Sequence, residues 1–109
     1  MAVTNNVALV YVPCGSVDEA TSLARALLEE RLIACANIHE TRSIYRWKGD
    51  VVDEPEQVLI CKTSPSSAQD AARRIEELHS YEVPCVLQIQ PTQANAAYAA
   101  WVEGEVGGR

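Results

Sequence analysis

The side chains able to do chemistry here are few. Four cysteines, Cys14, Cys35, Cys61 and Cys85, and two histidines, His39 and His79, supply all the soft donors. Thiolate sulfur and neutral imidazole are strong ligands for borderline and soft cations near neutral pH. The cysteines stand more than twenty residues apart, so no C-x-x-C pair marks a zinc knuckle or a thioredoxin-like site. Glu54 and Glu56 flank Pro55 with no base beside them, and read as exposed carboxylates unsuited to acid–base catalysis. No G-x-G-x-x-G, Walker A, H-E-x-x-H or G-x-S-x-G motif occurs. The residues on offer bind rather than catalyse, and no enzymatic activity is expected.

The whole chain narrows the partners. Nine Lys and Arg stand against fifteen Asp and Glu in 109 residues, a net charge of −6. Such a field repels phosphate backbones and anionic lipid, so neither nucleic acid nor a membrane is an expected partner. No apolar run approaches the roughly 20 residues that span a bilayer. The first basic residue is Arg25, so the charged n-region of a secretory signal is not found, and the chain reads as cytoplasmic with free thiols. Its length and 48% hydrophobic content suit one domain, residues 1–109, that folds without a cofactor.

These side chains must be held by regular elements. Val7 to Val12 is β-branched and aromatic, apolar at odd and even positions alike, and reads as a strand buried on both faces. Ser16 and Glu19 form a capping box, followed by Ala20, Leu23, Ala24, Leu27 and Leu28 on one helical face, which predicts a helix from about Val17 to Arg31. Ile33 to Trp47 and Val51 to Cys61 form a long hairpin around Lys48-Gly49-Asp50, with a break expected at Pro55, which lacks a ladder N–H. Ser64-Pro65 opens a second helix that ends near His79. Cys85 to Gln90 reads as a short strand, Ala94 to Val102 as a last helix, and Gly107-Gly108-Arg109 as a fraying tail.

The order β, α, β, β, α, β plus a terminal helix predicts an α+β, ferredoxin-like split βαβ sandwich with strand order 4-1-3-2. Both main helices then cover one face of the sheet. An opposite face that is also apolar, and a long hairpin with open backbone edges, call for association with further copies of the chain. In this topology the end of the first strand lies beside the start of the last. Cys14 and Cys85 become neighbours, and His79 with Glu82 enters the same corner, a candidate metal site in which packing remains the competing role for both thiols. His79 has a second reading as a hydrogen-bonded residue ending its helix. Cys35 and Cys61 read as packing residues and His39 as surface or interface. Tyr45, Arg46, Trp47 and Lys48 at the hairpin tip look like a subunit contact, or a groove where Arg46 and Lys48 receive a small anion.

Three segments, Glu30-Arg31-Leu32-Ile33-Ala34-Cys35-Ala36-Asn37-Ile38, Ser43-Ile44-Tyr45-Arg46-Trp47-Lys48-Gly49 and His79-Ser80-Tyr81-Glu82-Val83-Pro84, together with Tyr98 and Trp101, resemble the CutA family, the divalent-cation tolerance proteins. The resemblance implies a stable homotrimer joined through its hairpins, similar in architecture to the PII signalling proteins, and a part in tolerance to copper or another divalent metal ion. It also implies that Cys14 and His79 occupy the places of family copper ligands, with Cys85 where a glutamate is usual and Ser80 where a proline is usual. Cys85 would soften the site toward Cu(I) or Zn. The expected metal ligands are thus Cys14, His79 and Cys85, with Glu82 a further candidate. The alternative is a PII-like signalling or scaffold trimer that binds a small molecule in inter-subunit grooves.

Overall fold

The computed structural model describes residues 2–107; positions 108 and 109 of the expected fraying tail lie outside the described residues. Its elements run β1 (Val3–Thr4), β2 (Ala8–Cys14), α1 (Val17–Glu29), β3 (Cys35–Trp47), β4 (Asp50–Thr63), α2 (Pro65–Leu78), β5 (Leu87–Ile89), β6 (Ala94–Asn95) and α3 (Ala96–Glu105). Four strands form an antiparallel sheet in the order β3-β4-β2-β5, which is the expected 4-1-3-2 arrangement of the main strands. A two-stranded ladder of β1 with β6 was not foreseen, since two residues are too few to carry a periodic signal.

Alternation along β2 decides which side chains meet which layer. Ala8, Val10, Val12 and Cys14 are buried, while Leu9, Tyr11 and Pro13 are only partly so. Of the first set, Val10, Val12 and Cys14 join Leu23, Leu27, Ile33, Leu59, Cys61, Ala71 and Ile75 in the core between sheet and helices. Each fully buried Leu or Ile there contributes roughly 1.5–3 kcal/mol through the area it takes from water. The second set faces away from the helices, sharing that side with Ile60, Leu87 and Ile89 by register. At one end α3 covers this face, packing Ala99 and Val102 with Val7, Ala34, Leu9 and Tyr98. Beyond α3 it stays open, and Leu87 and Ile89 are exposed.

Three element boundaries differ from the sequence reading. Helix α1 stops at Glu29 because Arg31 takes a left-handed φ of 57°, and the N–H groups of Arg31 and Leu32 close back on the carbonyls of Leu28 and Leu27. That pair of bonds ends the helix in the manner usually left to glycine. The break expected at Pro55 does not occur. Pro55 faces Arg42 in an unbroken β3–β4 register, and β2 ends its pairing at Gln57, so no strand waits for the N–H that Pro55 lacks. Finally, β5 pairs only from Leu87, leaving Cys85 and Val86 outside the ladder. The hairpin tip turns through Lys48 and Gly49, both at positive φ (50° and 88°), the signature of a two-residue type I′ turn.

Candidate functional site

On the side of the sheet away from the helices, the inner face of the hairpin and the segment after α2 enclose a cleft of about 540 Å³. Tyr45, Trp47 and Tyr81 supply aromatic walls, Ile44, Val83 and Pro13 apolar ones, and Glu56, Glu82, Cys85 and Ser43 the polar groups. The strand alternation that turns Cys14 into the core turns its neighbour Pro13 toward this cleft. Likewise Tyr45 and Trp47 share one face of β3 and Arg46 points to the other, so the tip tetrad divides.

Glu56 is the least expected member. Although its sequence context suggests exposure, it is only 6% exposed. Tyr81 Oη donates to Glu56 Oε2 at 2.7 Å, and no cationic side chain among the described residues reaches it. No buried side-chain oxygen in the described residues lacks a partner, so Glu56 Oε1 meets the cleft. Burial, then the hydrogen bond to Glu56, pushes the Tyr81 phenol well above its usual range and keeps it a donor. Tyr45 likewise donates to Glu54 Oε1 at 2.7 Å, and that bond raises its phenol. Neither Glu56 nor Tyr81 is given a site role by the sequence, which presents Glu56 as an exposed carboxylate. The usable signal was the period of two that puts residue 56 on the same side as Val58.

The corner expected to gather metal ligands does not assemble. Cys14 is fully buried on the helix side and faces Gln57, and its thiol donates weakly to the Val12 carbonyl at 3.6 Å. Burial, with Glu19 and Glu56 adding repulsion, pushes it up to about 12. Cys85 stays on the cleft side, exposed, because β5 stops at Leu87 before it can run beside the end of β2. His79 has both ring nitrogens engaged: Nε2–H donates to the Pro13 carbonyl at 2.9 Å, and Nδ1 accepts from the Tyr81 N–H at 3.1 Å. An imidazole so occupied has no free lone pair for a metal, and the second reading of His79, a capping residue at the end of α2, is the one that the geometry matches. Among the described residues no three His, Cys, Asp or Glu side chains gather at ligand spacing. Glu82 lines the cleft rim, where Lys48 Nζ approaches its Oε2 at 3.6 Å and lies 5.6 Å from the Trp47 ring centroid. Neither Arg46 nor Lys48 is part of the lining of this cleft within the protomer.

The remaining expectations are met by packing. Cys61 is buried in the core and pushed up to about 12 by burial, Cys35 shares a 3.2 Å hydrogen bond with the Tyr98 hydroxyl, and His39 is exposed on β3. Behind the cleft, Glu19 ties its wall to α1. Its Oε1 accepts from the Gly15 N–H at 3.2 Å and its Oε2 from the Ser80 N–H at 2.8 Å, while its own N–H donates to Ser16 Oγ at 3.0 Å.

The family model described as CutA1 divalent ion tolerance protein matches residues 8–105. This chain belongs to the CutA family. It is 38% identical over 102 residues to the divalent-cation tolerance protein CutA of Thermus thermophilus, covering 93% of this chain and 97% of the relative. CutA from Synechococcus elongatus superposes with a TM-score of 0.91 at 28% identity, over 97% of this chain and 96% of that one. A structure described as the periplasmic divalent cation tolerance protein CutA from Archaeoglobus fulgidus gives a TM-score of 0.87 at 27% identity, over 91% and 97% of the two chains. No helix of the described residues is long and apolar enough to cross a membrane.

Proposed function

We propose that this CutA chain serves divalent-cation tolerance by binding cations in the cleft beside Glu56, as a homotrimer and without catalysing a reaction. The observation that carries the reading is Glu56 itself, a carboxylate taken out of water and given one phenol and no counter-charge. Buried charges are ordinarily paired or bound to a cation, because desolvation is otherwise uncompensated. The net charge of −6 draws cations toward it. For copper or another divalent metal, the Glu56 carboxylate is the principal donor, helped by whichever of Cys85 or Glu82, both on the same lining though the three do not stand at ligand spacing, comes within reach, and water fills the remaining positions. Instead of ligating, His79 holds the cleft wall through Pro13 and Tyr81, and Cys14 packs in the core. The four free cysteines fit a reducing cytoplasm, and the open apolar face of Leu87 and Ile89 supports assembly.

Calorimetric titration with Cu(II) and Zn(II) tests this. Cys85→Ser and Glu56→Gln should each weaken binding roughly tenfold or more, the value of one charge-assisted contact, whereas Cys14→Ser should not. Unchanged affinity in the first two variants overturns the assignment. Sedimentation that finds a folded lone protomer at micromolar concentration overturns the trimer.

A second reading, a PII-like protein whose groove takes a small organic ligand, is favoured by the size of the cleft. Its volume of about 540 Å³ falls in the range of small-molecule pockets.

A further inference from the structure

We infer that the cleft is a receptor for a small organic ammonium ion, a primary amine in its charged form carried on a short apolar body. The inference rests on the second reading above and names the chemical class of its ligand.

Volume comes first. One water takes about 30 Å³ in the liquid, so a cleft of about 540 Å³ is far larger than a bare metal ion would fill. It leaves room for an organic body, and Ile44, Val83 and Pro13 make that part of the wall apolar. The charge of the site is one-sided. Both phenols are spent as donors, Tyr81 to Glu56 and Tyr45 to Glu54, and the charged groups of the lining, Glu56 and Glu82, are both carboxylates. A seat whose charges are all negative calls for a cationic donor, and an ammonium group has three donors and no acceptor. Glu56 Oε1, the carboxylate oxygen that Tyr81 leaves free, is the deep end of this seat. The rings of Tyr45, Trp47 and Tyr81 add the faces on which cations settle.

The protein carries its own demonstration at the rim. Lys48 brings a primary ammonium to 5.6 Å from the Trp47 centroid and 3.6 Å from Glu82 Oε2. A side-chain ammonium therefore already uses one aromatic and one carboxylate of the cleft, while the deeper pair of Glu56 and Tyr81 has no such occupant.

The test compares 3-methylbutylamine, charged at pH 7, with its neutral counterpart 3-methylbutan-1-ol and with zinc chloride. Binding is followed by calorimetry and by Trp47 emission in a full-length Trp101→Phe chain, which leaves Trp47 as the single indole. The amine should bind at least roughly tenfold more tightly than the alcohol, as one charge-assisted hydrogen bond warrants. Glu56→Gln should erase that preference while leaving the alcohol unaffected, a change that mere loss of structure would not produce. Equal binding of amine and alcohol overturns the charge recognition and leaves the small-molecule reading standing. A response to zinc alone overturns the inference and leaves the metal reading standing, whereas silence toward all three probes overturns every ligand reading of the cleft. The amine–alcohol comparison in the unsubstituted cleft decides the matter even if Glu56→Gln fails to fold.

Discussion

Two residues that look alike in sequence, Cys14 and Cys85, end in opposite environments. Cys14 sits in phase with Val10 and Val12 and shares their burial; packing was the favoured role for it in the sequence, but a strand apolar at every position did not show which phase is buried. Cys85 lies just outside β5, against the cleft, with its thiol raised by partial burial and then by Glu56. A raised thiol stays protonated longer, so its thiolate fraction climbs about tenfold per pH unit until the pKa is passed. Native protein treated with a disulfide reagent should therefore release one fast equivalent, absent in Cys85→Ser, with a rate still rising above pH 9. Cys14 and Cys61 should react only after unfolding. Metal uptake through Cys85 should strengthen with pH for the same reason, because the proton must leave first. The pairing of Glu56 with Tyr81 was missed since their contact spans 25 positions: Glu56 read as an exposed carboxylate, and Tyr81 only as part of the segment 79–84. His79, by contrast, could be read as a helix-ending residue from its position alone.

Glu19 shows what an element boundary can hold. Half of the capping box predicted at Ser16 forms, the Glu19 N–H donating to Ser16 Oγ, while the Glu19 carboxylate accepts instead from the N–H groups of Gly15 and Ser80. Partial burial works to raise its carboxyl, yet the bonds from Ser80 and Gly15 and the nearby His79 outweigh it and hold the group below 4.5. A folded-state pKa below the unfolded one stabilises the fold above the unfolded value and is lost as pH falls through the folded value. Glu19→Gln should thus cost about 1 kcal/mol near neutrality, the usual worth of a cap, and its melting curve should converge with the parent's in acid below pH 4.5. At the other end of the hairpin, Gly49→Ala should cost on the order of 1 kcal/mol in chemical denaturation, because a Cβ is unwelcome at φ of 88° although nothing lies within 4 Å to clash. The main helices and strands were legible because their apolar periods are long. Their ends were not, because Arg31 in place of glycine and Pro55 beyond the reach of β2 depend on neighbours distant in sequence.

The molecule as a whole is drawn out, with extents of 47 × 28 × 20 Å and a radius of gyration of 14.7 Å, against about 13 Å expected for a compact chain of this length. The hairpin accounts for the excess, and its reach was visible in the sequence as an unbroken β-rich run. The apolar second face was visible too, though α3 covers one end of it. Leu87→Glu places a charge at a half-exposed point of the open face. In the proposed trimer this should weaken assembly at least roughly tenfold by sedimentation, through the lost burial of one Leu, while the circular dichroism of the protomer stays unchanged. Segments far apart in the chain close the fold: β1 lies against β6 in a ladder of their own, and in the main sheet β2 is completed only when β5 docks at its side, Leu9 facing Ile89. A nascent polypeptide still short of position 89 lacks the strand that seals its central ladder. Closure accordingly awaits release of that last segment from the ribosome, and translation stalled earlier leaves an unsealed edge for chaperones to shield.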